Sequence, residues 1–313
     1  MGMALGRLVG AAVRNHKEKK RLKEQLEGKG TGGVVVGKPL KLKKKTTVSG
    51  DGPVKIQIQI YTHNIRLDAH ELQVGEEPWK VRKPGVVTSI VEHSKGVDTL
   101  VGLQEVLHRQ LIDIQNQLGE EWKYIGVGRD DGETEGEYAP IFYQPSQWEV
   151  QSSKTYWLSD TPDKPSKGWD AAHNRIVVVG HFKHKASGKE VILFNTHFDH
   201  EGQQARINSA QQIVELITTK QVATIVAGDF NSEPHDEAYT VLANTLVDSY
   251  LGSPIKEGPE FTNTTFDPTV KETRIDYIWS KKDIDIIKSE VLTNKSETGL
   301  FSDHRPVVST FRL

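Results

Sequence analysis

The segment TIVAGDFN at residues 224–231 indicates how this chain is expected to fold. It begins as a short, fully apolar strand and ends at Gly228, Asp229 and Asn231. A strand carries its last side chains to the edge of a sheet, so polar residues that end different strands can meet although they lie far apart in the sequence. Asp229 and Asn231 also alternate, and alternate residues of an extended chain point to the same side.

Five other short polar motifs end apolar, β-branched runs in the same way. They are NIR at 64–66, QEV at 104–106, NTH at 195–197, RIDY at 274–277 and SDHRP at 302–306. Together they supply carboxylates, amides and imidazoles, and the chain contains no cysteine. This set of donors suits a hard cation such as Mg²⁺ and the hydrolysis of a phosphoester. The lack of cysteine excludes disulfides, thiolate metal sites and a cysteine nucleophile.

Periodic apolar patterns predict more strands than helices. Isoleucine recurs at every second position of residues 56–60, which predicts a half-buried strand that ends at Asn64. A helix is predicted from Val86 to His93, after Pro84. Further strands are predicted at 99–105, 124–127, 138–143, 148–158, 175–184, 189–197, 224–227, 274–280, 284–291 and 306–311, and further helices at 108–118, at 205–218 and from about residue 235. The pattern predicts an α/β fold with two mixed β-sheets packed face to face and helices on the outer faces.

The charge is distributed unevenly along the chain. Residues 1–50 carry 13 basic and three acidic residues, whereas the rest carries 27 basic and 39 acidic residues, a balance of -12. We therefore predict a basic, flexible tail at 1–52 and a catalytic domain at 53–313. The acidic domain argues against broad nucleic-acid binding, which needs Lys and Arg to replace counterions, but the tail can supply some of that charge.

The sequence predicts neither a signal peptide nor a membrane span, because Arg7 interrupts the early apolar stretch at 4–13. We expect a monomer in the cytoplasm that is not secreted. The basic N-terminal residues are also compatible with a nuclear or mitochondrial location.

Each motif has an alternative structural explanation. Glu105, at the mouth of a buried strand, can bind Mg²⁺ or form an ion pair with Arg66. Asp229 can take a proton from water and Asn231 can donate to a phosphate oxygen, or the two can form an ordinary Asx-turn. Taken alone, the metal site and the ion pair are equally compatible with the sequence, and the turn is favoured.

The three remaining polar strand ends also have two interpretations each. Asp303 and His304 can serve a metal and a phosphate respectively, or belong to a hydrogen-bonded loop before the last strand. Asp276 can orient an imidazole, or it can satisfy a buried backbone donor. His197 can be functional, although a single histidine at a strand end is usually structural.

The ordered set is more specific than its members. It resembles the endonuclease/exonuclease/phosphatase superfamily over about residues 54–313, through Asn64, Glu105, His197, Asp229, Asn231, Asp276, Asp303 and His304. The resemblance implies a four-layer α/β sandwich and phosphoester hydrolysis that depends on Mg²⁺ or Mn²⁺.

The resemblance also implies where a metal and the attacking water would lie. Asn64 and Glu105 would lie at the metal, with Asp303 nearby. Asp229 would position or deprotonate the water.

The remaining residues of the set are implied to act on the phosphate. Asn231 and His197 would hold it. His304 would bind the scissile phosphate and stabilise its developing charge, and Asp276 would orient His304.

Two sets of motifs favour different substrates. The sequence WKVRK at 79–83 resembles the deadenylase and nocturnin-like branch, which favours 3′–5′ exonuclease activity on RNA or a related nucleotide phosphoester. The segments SKGWDAA at 166–172 and THFDHEG at 196–202 instead resemble a little-characterised hydrolase group of bacteria and fungi. The alternative activity is a phosphatase or phosphodiesterase for a sugar, inositol or lipid head group. A non-catalytic binding module is disfavoured because the polar set is intact.

Three further residues are candidates for substrate binding. Arg175 has a fork of donors that suits phosphate oxygens, but a surface ion pair explains it equally well. Tyr138 can line the cleft, although core packing is favoured. Asp199 can bind a substrate hydroxyl or support another site residue.

We predict that deletion of residues 1–50 leaves the domain stable, because this segment has no periodic apolar face to bury. The melting temperature should change by less than about 2–4 °C, the shift that 1 kcal/mol produces in a domain of this size. Thermal unfolding of the full chain and of the deletion variant, followed by circular dichroism, measures the difference. A much larger loss would show that the domain begins earlier.

Overall fold

The computed structural model of this chain describes residues 55–313. The predicted tail at 1–52 and its boundary at residue 53 lie outside the described residues. Fifteen strands and five helices make up the described part. The strands are β1 (Gln57–Asn64), β2 (Thr99–Gln104), β3 (Lys123–Ile125), β4 (Ile141–Tyr143), β5 (Trp148–Trp157), β6 (Ile176–His184), β7 (Glu190–His197), β8 (Ala223–Asp229), β9 (Leu246–Asp248), β10 (Lys256–Glu257), β11 (Asp276–Lys281), β12 (Asp285–Val291), β13 (Lys295–Ser296), β14 (Gly299–Leu300) and β15 (Val307–Arg312). The helices are α1 (Trp79–His93), α2 (His108–Leu118), α3 (Gln203–Thr218), α4 (Glu237–Thr245) and α5 (Ser249–Gly252).

Two large sheets contain most of the strands. The first has seven strands in the order β10-β12-β15-β1-β2-β4-β3, and the second has six in the order β5-β6-β7-β8-β11-β9. Most neighbours are antiparallel, but β1 runs parallel to β2, β7 to β8 and β10 to β12. The strands β13 and β14 pair separately. The prediction of two mixed sheets is confirmed.

Three hydrophobic clusters separate four layers. The first lies between the sheets and includes Ile60 of β1 and Leu193 of β7. The second joins α1 and α2 to the seven-stranded sheet, with Ile90 among its buried residues. The third joins α3 and α4 to the six-stranded sheet, through residues such as Ile213 and Trp279. The order helix, sheet, sheet, helix is the sandwich that the sequence predicted.

Strand β1 is buried on both faces, whereas its alternating sequence predicted a half-buried strand. Every residue after the first is buried. The polar side chains are accommodated because they have partners: Gln59 donates to the carbonyl of His93 and to the hydroxyl of Thr99, and the hydroxyl of Tyr61 lies 3.0 Å from that of Ser89. The polar residues that alternate with isoleucine in this strand therefore lie under a helical layer, where they form hydrogen bonds, and are not exposed to water.

Helix α1 begins at Trp79, not at Val86 as predicted, and so contains Pro84. A proline inside a helix removes one backbone hydrogen bond and crowds the carbonyl four residues earlier. Trp79 and Arg82 of the first turns are both buried, and their packing outweighs this local cost. None of the helices within the described residues is long and apolar enough to cross a lipid bilayer.

Asn195 connects the two sheets through the interior. It lies on β7, is fully buried, and donates from Nδ2 to the carbonyls of Leu103 at 2.8 Å and Pro140 at 3.0 Å. Its Oδ1 accepts from Nε2 of Gln104 at 2.6 Å. Gly102 of β2 leaves space for this side chain, because a Cβ atom there would lie 2.6 Å from Asn195 Oδ1.

We predict that Asn195→Ala destabilises the domain by about 2–4 kcal/mol, because it removes three buried hydrogen bonds that connect the two sheets. Urea unfolding measures the change. The control Asn244→Ala removes an exposed amide from α4 and should alter stability by less than about 0.5 kcal/mol. Equal effects of the two substitutions would show that the connection between the sheets contributes nothing.

Candidate active site

The polar strand ends converge where the two sheets meet. Asn64 ends β1 of the first sheet, and Asp229 ends β8 of the second. His197, at the end of β7, lies beside Asp229 in the parallel register, and Asp276 lies beside it in the antiparallel register. A hydrogen bond of 2.9 Å from Asn64 Nδ2 to Asp229 Oδ2 joins the two sheet edges.

The amide of Asn64 links two carboxylates. Its Nδ2 donates to Oε1 of Glu105 and to Oδ2 of Asp229, both at 2.9 Å. Its carbonyl oxygen accepts the backbone N–H of Arg66 at 3.0 Å. Because this oxygen is already engaged, direct binding of a metal by Asn64 stays a prediction.

The ion pair between Glu105 and Arg66, the alternative to a metal site, is only partly formed. Arg66 Nη1 lies 3.9 Å from Glu105 Oε2, whereas Arg66 Nε lies 3.3 Å from Glu76 Oε1. Glu105 Oε2 accepts instead from the backbone N–H of Leu67 at 2.9 Å. Glu105 is therefore held in place by neutral donors, and its charge is not fully compensated by Arg66.

The Asx-turn predicted for Asp229 is observed, and its role as a base stays a prediction. Oδ1 accepts the backbone N–H of Asn231 at 2.9 Å, which forms the Asx-turn. Oδ2 accepts from Asn64 and lies 3.9 Å from Nε2 of His304. Burial and the negative charge of Asp276 raise the pKa of Asp229. The carboxylate of Asp229 therefore has a raised affinity for a proton.

His304 and Asp276 form a buried pair in which Nδ1 of the imidazole lies 2.8 Å from Oδ2 of the carboxylate. Burial alone would lower the pKa of His304, but the charges of Asp276 and Asp229 and the hydrogen bond raise it well above its usual value. Ligand atoms of these three residues lie within 4.8 Å of one another, a spacing compatible with a metal. A protonated imidazole already supplies positive charge there, so the cation is better placed elsewhere.

Glu105 and Asp303 are the better candidates to hold a divalent cation. Burial raises the pKa of Asp303, and the charge of Glu105 adds to this effect. Burial and Glu137 act in the same direction on Glu105, but the hydrogen bonds that it accepts from Asn64 and Leu67 oppose them, and its pKa lies below its usual value. Both residues offer hard oxygen donors, and a cation between them would relieve their repulsion. The donor set therefore fits a hard divalent ion.

His197 is neutral in this environment. Burial and the charge of Arg175 lower the pKa of His197 to about 3. The side-chain amide of Asn231 donates to the carbonyl of Phe198 at 3.0 Å and lies 3.1 Å from Nε2 of His197. Both N–H groups of this amide are therefore engaged, and phosphate binding by Asn231 and His197 stays a prediction.

Three residues here have left-handed backbone, namely Arg66, Glu105 and Asn231 with φ of 58°, 59° and 45°. Such conformations cost on the order of 1–3 kcal/mol each and cluster at functional sites. Gly228 has a φ of +150°, and a Cβ atom there would lie 2.1 Å from the carbonyl oxygen of Thr196. The strand before Asp229 can therefore approach β7 only with glycine at this position.

Arg175 and Asp199 form a buried ion pair, not the surface pair predicted as one alternative. Arg175 Nε donates to Asp199 Oδ2 at 3.1 Å, and both residues are buried. Asp199 also accepts from the backbone N–H groups of Ala172 at 3.0 Å and Gly202 at 2.8 Å. These contacts fix two loops beside the site, and direct contact of either residue with substrate stays a prediction.

Tyr138 is mostly buried, and its hydroxyl donates to the carbonyl of Glu133 and lies 2.9 Å from Nδ1 of His108. It packs in the cluster under α1 and α2, as the core alternative predicted. Next to it, Glu137 accepts from Nη1 of Arg129 at 2.9 Å. No sequence pattern predicted this pair, because a Gly-rich, acidic loop carries no periodic signal.

The WKVRK motif has a structural explanation. Trp79 Nε1 donates to Asp113 at 2.9 Å, and Lys83 lies 3.1 Å from the same carboxylate. Arg82 is buried and donates to the backbone carbonyls of residues 65–67 at 2.8 to 3.2 Å. Trp79, Arg82 and Lys83 are thus engaged within the protein, whereas Lys80 is exposed.

A larger groove lies away from this chemistry. It has about 1020 Å³ of empty space and is lined by residues of α1, such as Thr88 and Glu92, and by Lys295 of β13. None of the predicted site residues lines it, so the strand-end cluster remains the candidate active site.

We predict that Asp276→Asn lowers the pKa of His304, because it removes the charge that opposes the effect of burial. The pH titration of the His304 imidazole by NMR, in EDTA, measures the shift. Asp283→Asn removes an exposed carboxylate and should leave the titration unchanged. A titration unaffected by Asp276→Asn would mean that another group holds the proton on His304.

Comparison with known proteins places these features in a family. The model of the endonuclease/exonuclease/phosphatase family matches residues 62–304. A family protein from Bacteroides thetaiotaomicron is 33% identical, with a TM-score of 0.78 over 83% of this chain and 99% of that one. A mannosyl-6-phosphatase from the same organism is 33% identical, with a TM-score of 0.76 over 81% and 99% of the two chains.

More distant matches add less. The human nocturnin catalytic domain is 20% identical, with a TM-score of 0.65 over 82% of this chain and 94% of that one, which shows a shared fold. An uncharacterized protein of Acanthamoeba polyphaga mimivirus is 37% identical over 99 residues, and the match spans 30% of this chain and 37% of that protein. From the family match and the site geometry, the chain belongs to the endonuclease/exonuclease/phosphatase family, whose members hydrolyse phosphoesters.

Proposed function

We propose that this protein is a Mg²⁺-dependent phosphatase or phosphodiesterase that acts on a small phosphorylated molecule with several hydroxyl groups, such as a sugar phosphate. The observation that carries the hydrolytic part is the position of Asp229. Its inward oxygen lies 2.9 Å from Nδ2 of Asn64 and 3.9 Å from Nε2 of the His304 imidazole. Asp229, as a base, and the His304 imidazole, as a cationic donor, are therefore close enough to act on the same phosphoester.

The residues of the chain divide the work of hydrolysis. Asp229, whose pKa is raised, accepts a proton from the attacking water. Protonated His304 donates to a phosphoryl oxygen and stabilises the charge that develops there. Asp276 holds the His304 ring and its proton, and Asn64 keeps Asp229 and Glu105 apart at a fixed separation.

Glu105 and Asp303 would hold Mg²⁺, with Mn²⁺ as a substitute. When bound, the ion would polarise a phosphoryl oxygen and offset the buried negative charge. Asn64 would lie beside the ion and, as sequence resemblance implies, could contribute its oxygen if Arg66 releases it.

Three observations favour a small substrate. The mannosyl-6-phosphatase is 33% identical to this chain, whereas nocturnin is 20% identical. Residues 51–313 carry a balance of -12 charges, which opposes a polyanionic backbone. Trp79, Arg82 and Lys83 of the WKVRK motif, the main argument for RNA, make contacts within the protein. RNA remains the second candidate, because the basic residues 1–50 can still attract it.

A substrate panel tests the proposal. Mannose 6-phosphate, inositol 1-phosphate, bis(p-nitrophenyl) phosphate, oligo(A) and single-stranded DNA are each assayed with Mg²⁺, with Mn²⁺ and with EDTA. We expect hydrolysis of the small phosphoesters only with a divalent ion, because the donors are hard oxygens.

The same panel distinguishes the two candidates. The proposal is wrong if oligo(A) is the efficient substrate and small phosphoesters are not cleaved. In that case removal of residues 1–50 should raise KM for oligo(A) at low salt and much less at high salt, because counterion release drives such binding. Full activity in EDTA would reject the metal-dependent mechanism for either substrate.

We predict that Asp229→Asn lowers kcat on the order of 10²–10⁴, because it keeps the shape of the side chain but removes the base. Rates on the best substrate of the panel measure the loss. The matched control Asp283→Asn changes an exposed carboxylate and should retain wild-type kcat. A fully active Asp229→Asn enzyme would exclude this residue as the base.

A further inference from the structure

A small recess adjoins the candidate active site on the side of His197. It is lined by Arg129, Glu137, Tyr138, Arg175 and His197, among others, and has about 180 Å³ of empty space, part of which is open to solvent. The mechanism above uses none of the polar groups that face it. Only about 10 Å³ of it admits the centre of a water-sized sphere, so the recess accommodates a single water-sized group.

One free donor in the recess belongs to His197. Its Nε2 lies 3.1 Å from the amide nitrogen of Asn231, whose other N–H is taken by the carbonyl of Phe198. Nε2 is therefore the acceptor, and the proton of the neutral ring resides on Nδ1. Nδ1 is buried, has no hydrogen-bond partner among the described residues, and lies 3.7 Å from Glu137 Oε2.

A second free donor belongs to Arg129. This side chain is more than nine-tenths buried and uses Nη1 to pair with Oε2 of Glu137 at 2.9 Å. Its Nε is also buried without a hydrogen-bond partner within the described part of the chain, and the nearest paired oxygen, on Asp130, lies 4.0 Å away. Unpaired buried donors are rare and costly, so two beside one recess indicate a group that belongs there.

The combination of groups defines the chemistry of that ligand. Two N–H donors and one carboxylate acceptor match a hydroxyl group, which accepts two hydrogen bonds and donates one. A second anion would be repelled by Glu137, and an apolar group would leave both N–H donors unpaired. A water molecule satisfies the same pattern in the free enzyme and would be displaced by a hydroxyl without loss of hydrogen bonds.

We infer that this recess is a specificity subsite for a hydroxyl group of the substrate, with Glu137 accepting its proton and His197 and Arg129 donating to its oxygen. The inference rests on the proposed function, because it assumes a substrate that carries hydroxyl groups next to the scissile phosphate. The free N–H of His197 would then bind a hydroxyl of the leaving group. Glu137 would distinguish phosphoesters that carry such a hydroxyl from those that lack it.

The kinetic test compares matched substrates. Mannose 6-phosphate has ring hydroxyls, and cyclohexylmethyl phosphate is a similar ring without them. We expect the wild-type enzyme to prefer the hydroxylated compound in kcat/KM, and Glu137→Gln to reduce that preference by about 10–100-fold, as expected when a site loses its partner for a substrate hydroxyl. The control Glu135→Gln makes the same change at an exposed position of the same loop and should keep the preference.

A binding test keeps the inference separate from the proposed function. In EDTA, where no turnover is expected, ¹⁵N NMR follows the Nδ1–H of His197 while mannose 6-phosphate, inositol 1-phosphate or cyclohexylmethyl phosphate is added. We expect the signal to shift with at least one hydroxylated compound and not with cyclohexylmethyl phosphate, and Glu137→Gln to weaken the response.

The outcomes of the two tests can be told apart. A shift with a hydroxylated compound supports the subsite even if nothing in the panel is hydrolysed, in which case only the proposed function fails. Hydrolysis of sugar phosphates with the same preference in wild type and Glu137→Gln overturns the subsite and leaves the proposed function intact. No shift with any compound, or equal shifts with all three, means that the recess holds water only and overturns the inference.

Discussion

The two hydrogen bonds donated by the Asn64 amide are the contact on which the site depends. They join Glu105, beside the first sheet, to Asp229, at the end of a strand of the second. With Asp276 and Asp303, these two residues bring the number of carboxylates where the sheets meet to four, and these groups are largely shielded from water. Such a cluster is stable only if donors and positive charge offset it. Asn64 supplies hydrogen-bond donors and the His304 imidazole supplies positive charge. A divalent cation would neutralise the negative charge that remains.

This constraint links the fold to the chemistry. The site lies at the end of a sandwich, so neither sheet contains it alone. Contacts such as those of Asn195 with the opposite sheet therefore also fix the separation of the residues in the site. Arg82 has a comparable role behind the site, because it holds the carbonyls of the loop that delivers Leu67 to Glu105. Residues that never contact substrate therefore determine the geometry of those that do.

Sequence reasoning recovered most strand ends because the signal there is local: a polar residue directly after an apolar, β-branched run, as at Asp229. The same patterns predicted that these strand ends meet, and Asn64, Asp229, Asp276 and His304 do lie together in the structure. Sequence reasoning did not recover Glu137 or Asn195, since their partners come from other segments and no local pattern marks them. It also placed the start of α1 too late, because local backbone rules stop a helix at Pro84 whereas burial of Trp79 and Arg82 extends it. Local sequence patterns thus predicted the strands and their polar ends. The features that they did not predict depend on contacts between segments far apart in the sequence.

The position of β15 has a consequence for the order of assembly. This last strand lies between β12 and β1 in the seven-stranded sheet, where it pairs with β1 along its length. The loop just before it carries Asp303 and His304. During synthesis, β1 can pair with β2 early, but its other edge stays open until nearly the whole domain has left the ribosome. Pairing across such a sequence separation is slow, and an open central strand is prone to aggregate. His304 therefore joins the candidate site in the same late step that closes the sheet. Nascent chains should remain inactive for as long as the open edge of β1 can pair with another chain.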